Sequence, residues 1–175
     1  MADPNAVICL GEALIDRLGP LGGDPACDQP VDNRLGGAPA NVACGLARLG
    51  TTVAFVGRVG GDAIGADFQH LFSQRGVDTS TLQLDPSHPT RIVLVRRSGD
   101  GERQFQGFAG DQGDGFADQA LQTVALPSTA RWLLVGTIPL ASAQSAQALL
   151  AAVDQARSHG IALALDVNWR PTFWD

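Results

Sequence analysis

The sequence predicts an α/β fold, a parallel sheet flanked by helices, with a small antiparallel β unit set into it. Three observations predict it. Short β-branched, apolar runs alternate with segments whose apolar residues recur at helical spacing. Gly50, Gly76 and Gly160 stand just past those helical segments, where a left-handed residue ends a helix at little cost. The rhythm breaks once, at residues 91–105, where alternation around Ser98-Gly99-Asp100-Gly101 marks a hairpin.

Ala6 to Leu10 is a short apolar run closed by Gly11 and reads as a buried first strand. Ile15 to Leu18 continues as a second, bent strand, and residues 19–33 hold enough Gly, Pro and Asp for a loop or irregular hairpin. The first helix begins near Pro39, whose φ suits a first turn, with Val42, Ala43, Leu46, Ala47 and Leu49 as its inner face. Thr52 to Val56 is a strand and 57–61 a turn, followed by a helix carrying Ile64, Phe68, Leu71 and Phe72. Arg91 to Arg97 and Glu102 to Phe105 form the hairpin, and 107–115 is a glycine-rich loop. Trp132 to Val135 is a strand. Ser142 is placed to cap a long helix carrying Leu149, Leu150 and Val153, and Ile161 to Val167 is a further strand. The alanines of 141–164 suit close helix–sheet packing.

The 175 residues are 45% hydrophobic and 17% charged, enough for one domain with a sizeable core. A net charge of -6 with scattered basic residues argues against a nucleic-acid partner, which needs a basic stripe. Cys9, Cys27 and Cys44 match neither a disulfide framework nor a metal site. With no basic leader and no run long enough to span a bilayer, a reduced, cytoplasmic setting without membrane contact is expected.

Three segments carry polar chemistry. Gly36-Gly37 and Asn41 stand where a loop becomes a helix. Alone they fit a tight turn with a first-turn asparagine. With Asp16 at the far end of the first strands they also fit a polyol site, where a carboxylate accepts from hydroxyls and an amide does both. Gly57, Gly60, Gly61 and Gly65 do not match the dinucleotide fingerprint and read as turn glycines. Asp166-Val167-Asn168-Trp169-Arg170 closes an apolar strand. That is the ligand edge of an open parallel sheet, or equally a loop with one salt bridge. His70, His88 and His159 show no ligand spacing, and Ser142 and Ser145 lack a nucleophile-elbow context.

Taken together these blocks resemble the PfkB/ribokinase family of carbohydrate kinases, and within it the fructokinases. The resemblance runs through Gly11-Glu12-Ala13-Leu14-Ile15-Asp16, Gly36 to Asn41, Phe55 to Asp62 with Gly65, and Arg75-Gly76-Val77-Asp78. It continues through Gly101 to Phe105, Gly136 to Leu140, and the D-x-N-x-R-x-x-x-W pattern of Asp166, Asn168, Arg170 and Trp174. Fructokinases usually carry Tyr-Arg after the lid strand. Here the chain reads Phe108-Ala109-Gly110 and has no tyrosine. Ketodeoxygluconate kinases, which use that pair, are the near alternative.

The resemblance implies a ribokinase-like domain over 1–175, with lid segments at about 15–35 and 90–108. It implies transfer of the γ-phosphoryl of ATP, with Mg2+, to a hexose, most plausibly fructose. Substrate contacts are expected from Asp16, Gly36, Gly37, Asn41, Phe105 and Thr137. Asn168 and Arg170 are expected towards the phosphates, and no residue of this chain is expected to hold a metal. The family's Gly-Ala-Gly-Asp segment, with its general base and phosphate-holding amides, does not occur here. No catalytic residue is therefore assigned within the chain, and the general base is expected downstream of Asp175. The chain is expected to be the sugar-binding half of a kinase, inactive alone. A complementing C-terminal half, a homodimer through the lid, or a non-catalytic sugar-binding module are the accompanying expectations.

Overall fold

The computed structural model describes residues 6–109 and 115–168. Among them are nine strands: β1 (Val7–Leu10), β2 (Leu14–Leu21), β3 (Asp32–Gly36), β4 (Val53–Gly60), β5 (Leu82–Asp85), β6 (Ile92–Arg97), β7 (Arg103–Phe108), β8 (Trp132–Gly136) and β9 (Ala162–Asp166). Three α-helices accompany them: α1 (Ala38–Arg48), α2 (Ala63–Arg75) and α3 (Ala143–Ser158). Short 3-10 turns lie at Ala117–Ala120 and Ile138–Ala141.

Five strands form one sheet in the order β5-β4-β1-β8-β9. Every pairing in it is parallel, as the alternation of strands and helices predicts. Its two faces follow the period of two along each strand. Ile8 and Leu10 of β1, with Leu133 and Val135 of β8, pack against Ala148, Leu149, Ala152 and Ala156 of α3. The alanine stripe at four-residue spacing lets α3 lie close to the sheet. Cys9 and Phe55 point the other way, into a core shared with Ala40 and Ala43 of α1 and Phe68 and Phe72 of α2. The Phe55 and Phe72 rings lie 4.8 Å apart. Full burial of each such ring contributes roughly 1.5–3 kcal/mol.

The remaining four strands make a second sheet in the order β3-β2-β6-β7. β2–β3 and β6–β7 are antiparallel, whereas β2 and β6 run parallel. The hairpin is thus antiparallel, as read from the sequence, but the unit it joins is mixed. Hairpin periodicity reports only the neighbour across the turn, not a strand more than 70 residues earlier in the chain.

Several local expectations are corrected. Residues 57–60 are not a turn but the end of β4. Their glycines serve close approach: a side chain on Gly65 would bring its Cβ to 1.9 Å from the Gly60 carbonyl, so α2 is seated on the strand end. β2 runs on to Leu21 and β7 to Phe108, into segments read as loops, and β5 was not foreseen. Leu49, assigned to an inner helix face, is exposed. Leu49 stands beyond the last residue of α1, where the helical phase no longer applies. Ser142 does precede α3, but its hydroxyl bonds the Gln119 carbonyl and Ser145 rather than an N-terminal amide of the helix. Gly50, Gly76 and Gly160 all have positive φ and end their helices as expected. β9 is the outermost described strand on its side and leaves Leu163 and Leu165 exposed.

Candidate functional site

A cavity of about 340 Å³ lies between the carboxyl edge of the parallel sheet and one face of the second sheet. Its size is that of a small-molecule site. Glu12 follows β1, Ile138 follows β8 and Asn168 follows β9, and all three line it. Open parallel sheets place ligands at this edge, where successive strand ends leave a crevice. The facing wall comes from alternate residues of the second sheet. These are Leu14, Asp16 and Leu18 of β2, Val93 and Val95 of β6, and Arg103 and Phe105 of β7. Phe105 is fixed by an edge-on contact with Phe108, 5.3 Å between centroids. Arg34, Gly37, Ala38 and Asn41 complete the rim from β3 and the start of α1.

The turn from β3 into α1 depends on its two glycines. Gly36 lies two register positions from Asp16 across the β2–β3 pair, and a Cβ there would stand 2.7 Å from an Asp16 carboxylate oxygen. Gly37 is the residue before α1 and has φ +100, with a would-be Cβ only 2.4 Å from the Glu12 carbonyl. No other residue type meets both demands at position 37. The tight turn and the ligand site, left open as alternatives by the sequence, are therefore one object. The turn is what brings Asn41 and the α1 N-terminus to the cavity.

Glu12 is the group that sequence reasoning passed over. It is 2% exposed, and its Oε1 accepts from the Ala38 N–H at 3.0 Å. Its Oε2 is buried without a hydrogen-bond partner. Burial raises its carboxyl from an ordinary 4.5 to about 7. The Ala38 amide opposes that rise, and the charges of Asp118 and Asp166 add to it. The available signal was an acid embedded in the apolar stretch 6–15, which marks either a strand end or a buried functional group.

Of the residues anticipated for substrate, Asp16, Gly37, Asn41 and Phe105 converge on the cavity, and so does Asn168. Gly36 backs Asp16 from behind. Thr137 does not line the cavity; its hydroxyl donates to the Val167 carbonyl at 2.8 Å and ties the ends of β8 and β9 together, while its neighbour Ile138 faces inward. Arg170 and Trp174 lie outside the described residues. Arg34 and Arg103 were not anticipated.

The Gly60-Gly61-Asp62 block has a structural task. Asp62 caps α2 through the Gly65 N–H and accepts from both the N–H and the hydroxyl of Thr90. Burial pushes its carboxyl up, but these bonds outweigh that and hold it below the usual range. Next to Thr90, Arg91 makes a bidentate pair with Asp118 and packs against the adjacent Phe108 and Phe116 rings. Residues 90–91 thus fasten the root of β6 to the α/β body.

The sequence matches the pattern described as "pfkB family carbohydrate kinase" over residues 5–175. The chain belongs to the pfkB family. The fructokinase of Salmonella typhimurium is 38% identical over 167 residues, which is 94% of this chain and 51% of that protein. A fructokinase of Xylella fastidiosa solved with bound ATP superposes with a TM-score of 0.81 at 30% identity, over 98% of this chain and 51% of that one. A fructokinase of Vibrio cholerae O395, solved with fructose, ADP and calcium ion, superposes with a TM-score of 0.77 at 31% identity, over 96% and 52%. This pfkB-family chain spans about half the length of the curated relatives it matches. It has a ribokinase-like fold. Among the described residues no helix is long and apolar enough to cross a membrane. None of them form a group of three or more His, Cys, Asp or Glu side chains placed to hold a metal ion.

Proposed function

We propose that this chain forms the sugar-holding side of an ATP-dependent hexose kinase, with fructose as the acceptor. The observation that carries the reading is the convergence of Asp16 from β2 with Gly37 and Asn41 from the start of α1 on one cavity at the sheet's carboxyl edge. Asp16 accepts hydrogen bonds from sugar hydroxyls, and Asn41 both accepts and donates. The Gly36-Gly37 turn keeps side chains out of their way. The apolar face of the second sheet, with Phe105, acts as the lid that excludes water. Asn168, with Arg170, lies towards the phosphates.

ATP supplies the γ-phosphoryl group, and Mg2+ neutralises its charge during transfer. The described residues hold no group of three or more His, Cys, Asp or Glu side chains placed for an ion, and no step here is assigned to it. The general base is assigned to a Gly-Ala-Gly-Asp segment downstream of Asp175, outside these 175 residues. A positioned base contributes about 10²- to 10⁴-fold, so this chain alone binds sugar without turning it over.

A coupled assay for ADP release, run with MgATP and a panel of hexoses, tests this together with calorimetry. Fructose is expected to bind the chain, and phosphorylation to need the remaining half. Turnover by these 175 residues alone would refute the placement of the base. A folded sample that binds no hexose would refute the sugar-holding reading. Arg34 and Arg103 on the rim favour one second reading, an acidic sugar such as ketodeoxygluconate. Tighter binding of that compound than of fructose would select it.

A further inference from the structure

We propose that Glu12 is the proton-linked residue of the cavity: when a sugar fills it, the site takes up one proton on the carboxyl oxygen that has no partner. The inference rests on the sugar-holding reading and adds a residue and a chemical consequence to it.

The geometry carries the argument. Glu12 lines the cavity yet is 2% exposed. Its Oε1 is committed to the Ala38 N–H, a group that can only donate. Its Oε2 is buried without a partner and lies 3.1 Å from where a Cβ on Gly136 would be, in the corner under Gly136 and Pro39. Any added proton therefore goes to Oε2.

Among the described residues, the charged groups around Glu12 do not offset a negative charge there. Asp16 on β2 shares the cavity. Asp166 ends β9, and Asp118 lies in the 117–120 turn; both oppose a charge on Glu12. The Arg91 guanidinium is engaged with Asp118. Arg34 on β3 is exposed and paired with Asp32, and Arg103 on β7 is exposed, so water screens both. The first turn of α1 carries no acid, and its Arg48 is in the last turn. β8 contributes no charge.

The Glu12 side chain is itself sealed from solvent, so water in the open cavity steadies its charge only at a distance, as a polarisable medium beside it. A bound sugar displaces that water and aims its hydroxyls at Asp16 and Asn41. An ionised Glu12 then loses that distant solvation, no cation among the described residues is paired with it, and the neutral acid becomes the favoured form. The proton comes from the buffer, and no bond to the sugar is made or broken.

Calorimetry of D-fructose binding to the full chain, in phosphate and in Tris at about pH 7.5, reads the proton directly. Roughly 0.5–0.75 proton is expected per fructose bound at that pH, the upper end set by the fraction of Glu12 ionised beforehand, with affinity falling by up to about tenfold per pH unit above about pH 7. Glu12→Gln keeps an acceptor for Ala38 and is expected to bind with neither uptake nor slope. Fructose binding without uptake, or uptake that persists in Glu12→Gln, overturns the inference and leaves the sugar-holding reading intact. No binding at all overturns that reading, and this inference with it. A second measurement needs no variant. The sequence has two glutamates, Glu12 and Glu102, so carbon-13 labelling of glutamate resolves the Glu12 carboxyl by NMR. Its titration is expected to move to higher pH when fructose is added, and an unmoved titration overturns the inference.

Discussion

The pair at the root of the second sheet sets up a quantitative test. Arg91 Nε and Nη2 donate to Asp118 at 2.8 and 3.1 Å. The side chains are 3% and 8% exposed, and the guanidinium carbon lies 5.0 Å from the Phe108 ring centroid and 4.8 Å from that of Phe116. Asp118→Ala leaves a guanidinium in a nearly dry, aromatic-walled slot without its counter-charge. Breaking a buried pair in this way costs about 3–5 kcal/mol, a large part of the roughly 5–15 kcal/mol that holds a domain together. The melting temperature should fall by about 10 °C. Replacing both partners with apolar residues, Arg91→Met with Asp118→Leu, removes the desolvation cost along with the attraction. That double variant should lie within about 1 kcal/mol of the parent. Urea unfolding of the parent, both single variants and the double variant closes the cycle and isolates the coupling. Added salt should change the coupling little, because the pair is shielded from solvent. A loss under about 1 kcal/mol for Asp118→Ala, or a coupling that disappears in salt, would show that the pair behaves as a surface pair and refute the reasoning.

Gly65→Ala places a Cβ 1.9 Å from the Gly60 carbonyl, so α2 must shift off β4; a loss of about 1–3 kcal/mol in urea unfolding is expected, as for other overpacked sites. Asp85 is pushed up by burial, but bonds from Ser87, His88 and Arg58 more than reverse this and hold its carboxyl well below the usual range. Its contribution is therefore present above about pH 4, near the unfolded value, and is lost as pH falls further. Asp85→Asn should flatten that acid limb of a stability–pH profile while lowering stability at neutral pH. Asp16→Asn should weaken fructose binding by about 10- to 100-fold, the value of hydrogen bonds to a charged acceptor, with little change in unfolding by urea. An unchanged fructose affinity would remove Asp16 from the site.

Much of the candidate site was legible because its parts are local. Gly36-Gly37 before an amphipathic run, and an acid or amide at the end of an apolar strand, are patterns within a few residues of chain. What could not be read was pairing at a distance. Arg91 and Asp118 are 27 residues apart, and neither has a spacing that announces the other. Gly57, Gly60 and Gly65 look like turn residues in sequence because turns and close contacts both call for glycine; only the position of the Gly60 carbonyl over Gly65 distinguishes the two. Thr137 sits in a segment that reaches the cavity, yet its hydroxyl is turned to Val167.

The sequence by itself determined the layered α/β architecture, the starts and stops of its helices, the hairpin and the family. Those features depend on periodicity and on backbone preferences that each short segment carries with it. The tertiary structure decided which of the polar residues meet, that β2 runs parallel to β6, and that Glu12 is a buried acid. Exposure, pairing and charge state depend on which distant segments exclude water from a group, and that is settled only when the two sheets close around the cavity.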